Sequence, residues 1–297
     1  MKDASNQVLD SFNKALTYVQ GYLSEDYKPS DYWSEQVESL QYIYSANTDI
    51  LIRLRDHTHW LTGVRSYDYK KHHKHMANKF ENKLNKLRKV GPNLEMFGEM
   101  GVLGNFGHPI NGALYNIDTL KFVESCIALE KFGILNSLRA KASPLICEIG
   151  AGWGGFISHL IRHLPRARFI IVDLPATLLF SATYLPVAFP EKTVGFLGSS
   201  DFTGEEDIIF SLPAKFLKSD INNLELVVNM VSFQEMTSEQ VSQYSEKIRN
   251  TNCQYIYSLN RKVSRHNPQL KSVNESLIDW QIVSEVKLSV SEVGYYG

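Results

Sequence analysis

The second half of the chain predicts an α/β fold: a doubly wound, mostly parallel Rossmann-like sheet, preceded by an N-terminal helical extension. Three observations lead there. Short apolar runs alternate with stretches of helical spacing from residue 144 onward. The run 145–149, a helix over about 155–164 and the run 168–173 make one strand–helix–strand unit, whose crossover implies parallel, right-handed pairing. Between the first run and its helix stands Gly150-Ala151-Gly152-Trp153-Gly154-Gly155, a turn rich enough in glycine to bring backbone close to a ligand. Further strands are expected at 194–197, 224–231 and 255–259, with a last pair at 282–288 and 293–296.

The first stretch, to about residue 115, lacks the Val/Ile runs of buried parallel strands and reads as helical and irregular. Val8, Phe12, Ala15, Leu16, Val19 and Leu23 recur at helical spacing, as do Trp33, Val37, Leu40, Ile43 and Tyr44, with Pro29 between the two sets. Residues 91–112 hold six glycines and two prolines and suggest a structured loop joining the two parts. After it, Asp118 is expected to cap a helix carrying Leu120, Val123, Ile127, Leu129 and Phe132. The division is therefore a segment 1–115, bearing on an acceptor or acting as a lid, and a ligand-binding catalytic domain 116–297.

Composition excludes several partners. Thirty-one Lys and Arg against 32 Asp and Glu leave no field that would favour nucleic acid or an anionic membrane. Cys126, Cys147 and Cys253 are odd in number and set in apolar runs, which suits free buried thiols in a reducing compartment. The N-terminus has no apolar targeting core and no stretch is long enough to span a bilayer, so a cytoplasmic protein is expected. Nothing opposes a homo-oligomer. The basic run Lys70-Lys71-His72-His73-Lys74-His75 reads as a solvated helix face, and no metal is expected.

Asp173 ends the second strand about 20 residues beyond the turn, where a carboxylate can accept hydrogen bonds from ribose hydroxyls. Turn and acid together describe an adenosine site. Gly150, Gly152 and Gly155 also satisfy the dinucleotide fingerprint G-x-G-x-x-G, so the glycines alone leave an NAD-dependent oxidoreductase open. Glu148 tilts the choice: two residues before the first glycine, it would repel a pyrophosphate and suits a cationic, phosphate-free ligand such as a sulfonium.

Glu148-Ile149-Gly150-Ala151-Gly152-Trp153-Gly154 resembles the first motif of class I S-adenosylmethionine-dependent methyltransferases, and Asp173-Leu174-Pro175 is similar to the second-strand motif of many small-molecule O-methyltransferases. More narrowly, Gly107-His108-Pro109, those two motifs and the stretch 229–236 resemble the sugar O-methyltransferases of bacterial surface-polysaccharide clusters. The resemblance implies S-adenosyl-L-methionine held by Glu148, Gly150, Ala151, Gly152, Gly154, Asp173 and Leu174, with Asn229 a further contact. It implies methylation of a sugar hydroxyl on a small-molecule or glycan acceptor; an aromatic or polyketide hydroxyl is the alternative.

Transfer to a hydroxyl needs a base near the carboxyl ends of the strands. Glu235, after the strand at 224–231, is one candidate, although an acid so close to Thr237-Ser238-Glu239 also suits a helix N-terminus. His108, in the glycine-rich connector, is the other. Asp56-His57-Thr58-His59-Trp60 could donate metal ligands or line an acceptor pocket, with a partly exposed helix face the favoured alternative, and most N-terminal aromatic residues are expected to fill the core.

Overall fold

The computed structural model describes residues 2–23, 27–70, 74–261, 264, 267–277, 280–282, 285 and 289. Its centre is a six-stranded sheet of β3 (Leu145–Ile149), β4 (Arg168–Val172), β5 (Val194–Phe196), β6 (Ile208–Ser211), β7 (Leu226–Met230) and β8 (Tyr255–Leu259). The strands lie in the order β5-β6-β4-β3-β7-β8, every neighbouring pair parallel. The chain runs outward from β3 in one direction, then returns to lay β7 on its other side, so the crevice between β3 and β7 is a topological switch point.

Alternation along the strands sorts side chains to the two faces. Cys147, Ile149, Ile170, Val172 and Val227 meet Phe216, Tyr244 and Ile248 on one side. Ile146, Phe169, Ile171, Leu226 and Val228 join a larger cluster on the other, which also contains Val8, Phe12, Ala15 and Val19 of the helix Lys2–Gly21. That helix lies along the helix Pro175–Ala188, while the Tyr18 and Tyr22 hydroxyls donate to the carbonyls of Leu197 and Gly198 at 3.0 and 2.8 Å. The N-terminal stretch and the sheet thus share one continuous core.

Several elements differ from expectation. Strand β6 was not foreseen, because Ile208–Ser211 is four residues long and runs straight into Leu212-Pro213. The helix Pro175–Ala188 escaped notice for a different reason: residues 176–185 are all buried, so it is apolar all round and shows no amphipathic period. The glycine-rich connector ends in a hairpin, β1 (His108–Ile110) and β2 (Ala113–Tyr115). Asn111 and Gly112 both have positive φ, 50° and 82°, the turn that an Asn-Gly pair favours. The cap of the helix Ile117–Lys131 is Asn116, in a capping box with Thr119, rather than Asp118, which stands in the first turn. The last expected strand pair falls almost wholly outside the described residues, as do Lys71, His72 and His73. No helix among the described residues is long and apolar enough to cross a membrane.

One buried ion pair ties the N-terminal stretch to the glycine turn. The Arg55 guanidinium meets Glu99 through Nη2 at 2.5 Å and Nε at 3.3 Å, with both side chains withdrawn from water. It also donates to Thr58 Oγ1 and stacks 3.5 Å above the ring of Trp153. Asn116, the helix cap, donates to the same Glu99 carboxylate at 2.5 Å. Leaving either charge buried alone costs far more than the pair contributes, on the order of 3–5 kcal/mol. Glu99→Ala should therefore lower the unfolding free energy by about that amount in urea melts. The apolar double replacement Arg55→Met/Glu99→Leu should lose clearly less; equal losses would show that packing rather than charge governs the site.

Candidate functional site

A cavity of about 410 Å³ opens at the carboxyl ends of β3, β4 and β7. One wall is the glycine turn. Gly150, at φ +73°, stands where an added Cβ would lie 1.9 Å from Ser232 Oγ, so its missing side chain is the room that Ser232 occupies. Gly152, at φ +58°, is the opposite case: an added Cβ would meet nothing nearer than Leu61 at 4.0 Å, and its backbone faces the cavity. Across the crevice, Val231 holds φ +60°, a strained conformation for a β-branched residue, where β7 breaks into the turn Phe233–Glu235. That break directs Ser232 against Gly150 and brings Gln234 and Glu235 to the cavity edge.

Three carboxyl groups line this space. Asp173 Oδ2 accepts from the Gly152 amide at 2.6 Å, and Oδ1 accepts from the Leu174 amide at 2.7 Å and from the Thr177 hydroxyl. Burial nonetheless pushes its pKa up to about 6. Glu148, on the buried strand β3, is pushed well above the carboxylate range, by desolvation first and by the neighbouring Asp173 second, with the Ile157 amide opposing. Its Oε2 has no hydrogen-bond partner among the described residues. Glu235 is pushed up to about 8 by burial, against the opposing hydrogen bond from the Trp33 side chain and the charge of Arg261.

The wall facing Glu235 comes from the N-terminal stretch. Ser30 Oγ donates to the Glu235 carbonyl at 2.5 Å, and Gln240 Nε2 to the Lys28 carbonyl at 2.8 Å. These bonds hold Tyr27, Tyr32, Trp33 and Gln36 along the cavity. The rings of His59 and Trp60 lie 4.9 Å apart between centroids, tilted by 37°, on the same side.

Of the residues singled out in the sequence, Glu148, Gly150, Ala151, Gly152, Asp173, Leu174 and Glu235 line the cavity. Gly154 does not: it caps the helix Gly155–His163, and an added Cβ there would meet Leu185 at 2.9 Å. Asn229 lies beneath, donating to the Ile149 carbonyl at 2.8 Å and accepting from the Phe233 amide at 2.9 Å, so it joins the ends of β3 and β7. His108 sits in β1 with its ring 4.8 Å from that of Phe80 and 5.1 Å from that of Tyr69, outside the cavity lining. His57 bonds Tyr42 at 3.1 Å. The cavity residues that sequence reasoning missed include Tyr27, Tyr32, Gln36, Lys121, Phe122 and Arg261, which distant segments bring together with no local motif to mark them. Among the described residues no group of three or more His, Cys, Asp or Glu could hold a metal ion.

No family model and no curated protein matches the sequence at a significant level. Solved structures of similar fold include M. capricolum TrmK in complex with S-adenosyl-homocysteine, at 16% identity and TM-score 0.32 over 55% of this chain and 64% of that one. An O-methyltransferase family protein from Burkholderia thailandensis matches at 11% identity and TM-score 0.39 over 61% and 57%. Human N-acetylserotonin methyltransferase, in complex with S-adenosylmethionine, matches at 14% identity and TM-score 0.34 over 98% and 92%. The chain spans less than two thirds of the length of the first two. Similarity this distant leaves the chemistry to the residues of the cavity itself.

The raised carboxyls fix the sign of a pH effect. A carboxyl whose folded pKa exceeds its unfolded one stabilises the fold fully below the unfolded value, and loses that contribution as pH rises through the folded value. For Glu235 the window runs from 4.5 to about 8. Glu235→Gln should melt several degrees above the parent chain at pH 9 and alongside it at pH 4. A variant that melts lower at pH 9 would mean that the ionised Glu235 is well solvated.

Proposed function

We propose that the chain is an S-adenosylmethionine-dependent O-methyltransferase. The observation that carries this reading is Glu148: a buried carboxyl with an unbonded oxygen, at the edge of a glycine turn, beside a second acid that already engages the turn's backbone. A pyrophosphate there would add negative charge to two buried acids, which argues against a dinucleotide. A sulfonium with an α-amino group adds positive charge and draws both acids toward ionisation. Glu148 would face that charge, Asp173 would take the ribose, and the Gly152 backbone would allow close approach. When bound, S-adenosylmethionine supplies an electrophilic methyl group.

The remaining work belongs to this chain's side chains. Glu235 would accept the proton of the acceptor hydroxyl, with Trp33 orienting its carboxyl and Arg261 favouring the ionised form. Tyr32, Trp33, His59 and Trp60, with Gln36 and Gln234, give the acceptor wall both flat aromatic faces and hydrogen-bonding groups, which suits a sugar hydroxyl. An aromatic or polyketide hydroxyl is the second reading, supported by the adjoining aromatic rings of His59 and Trp60 on the cavity wall. The stretch 1–115 would then be the acceptor-facing part and 116–297 the cofactor-binding part.

Titration calorimetry with S-adenosylhomocysteine and, separately, NADH tests the cofactor: binding of the first alone supports the reading, and binding of NADH alone would sink it. For the base, Glu235→Gln should lower turnover by about 10²–10⁴-fold while S-adenosylhomocysteine still binds as tightly. In the parent chain, turnover should rise with pH to a plateau above about 8, the value to which burial pushes Glu235. Unchanged turnover in the variant would remove Glu235 from the chemistry.

A further inference from the structure

The helix Ile117–Lys131 brings a second charged group to the cavity, of both signs at once. Asp118 and Lys121 both line it, one turn apart, and form an ion pair at 2.8 Å. The Asp118 side chain is 1% exposed and that of Lys121 12%. Apart from this ion pair, neither Asp118 oxygen has a hydrogen-bond partner among the described residues. A first-turn acid that served only the helix dipole would gain nothing from such desolvation, since the dipole acts well at an exposed position. The helix cap needs no help from it, because Asn116 and Thr119 already close the capping box.

The pair's position along the glycine turn suggests what it reads. Asp173 engages Gly152 at one end of the turn. At the other end an added Cβ on Gly155 would meet Phe122 at 2.7 Å, so the helix bearing Asp118 and Lys121 leans on the turn where the helix Gly155–His163 begins. Asp118, Lys121, Glu148 and Asp173 line one and the same cavity, so a ligand with its ribose at Asp173 shares that space with the charged pair.

Resting on the cofactor reading above, we propose that Asp118 and Lys121 form a zwitterion subsite, Asp118 receiving the α-ammonium and Lys121 the α-carboxylate of the cofactor's amino-acid tail. The two charges of the tail match the two of the pair, so the site exchanges an internal ion pair for two ligand pairs and leaves no charge buried alone.

The test uses the full chain and two nucleosides that differ only in the tail, S-adenosylhomocysteine and 5′-methylthioadenosine. In calorimetric titrations, Asp118→Asn and Lys121→Met should each weaken S-adenosylhomocysteine by about 10–100-fold, the usual worth of a hydrogen bond to a charged group. Binding of 5′-methylthioadenosine should stay within about threefold of the parent, which also reports that each variant is folded. Equal losses for both nucleosides, or no loss for S-adenosylhomocysteine, would overturn the subsite while leaving the cofactor reading standing. A parent chain that binds neither nucleoside would overturn the cofactor reading, and the subsite with it.

Discussion

Keeping a carboxyl at position 148 away from water is the constraint on which the site depends. A carboxylate buried in an apolar interior is expensive, and a protein without a counter-charge holds such a group protonated. Glu148 lies on β3, between strands that bury it from both sides, with the charge of Asp173 acting on it. Among the described residues only the Ile157 amide opposes that desolvation, and Asp173 adds to it. The arrangement disfavours an ionised carboxylate standing alone and favours one with a cation beside it, a preference that the glycines of the turn do not encode.

The other parts of the cavity are shaped around that acid by packing rather than by charge. Ser232 takes the space left by Gly150, and the strained Val231 turns the chain so that it can. Asn229 binds the two strand ends that flank the crevice. The Arg55–Glu99 pair, stacked on Trp153, fixes the N-terminal stretch against the same turn from the far side. The cavity wall facing Glu235 is consequently built into the common core, held by the Ser30–Glu235 and Gln240–Lys28 hydrogen bonds, which span some 200 positions of sequence.

Much of the sheet was legible in the sequence, since β3, β4, β5, β7 and β8 are short apolar runs bounded by turns and their parallel pairing follows from the helical crossovers. β6 was lost because four residues carry little periodic signal, and the helix Pro175–Ala188 because complete burial erases the pattern by which helices are recognised. Glu148 and Asp173 could be assigned to the cavity because strand ends and a glycine turn define where they must be. Asp118 was read as a cap from its local position, whereas its burial beside Lys121 and the cavity depends on how distant segments meet. The same holds for His108 and Gly154, whose neighbours Phe80 and Leu185 no local spacing discloses.

The most direct measurement of the central claim counts the protons released when the sulfonium binds. Calorimetric titration of the full chain with S-adenosylmethionine at pH 6.5, in two buffers of different ionisation heat, should give heats that differ by the release of a sizeable fraction of a proton or more, as the raised carboxyls ionise against the cation. Glu148→Gln should release fewer. Tight binding with the same heat in both buffers would contradict the claim that a buried, protonated acid selects the cofactor by its charge.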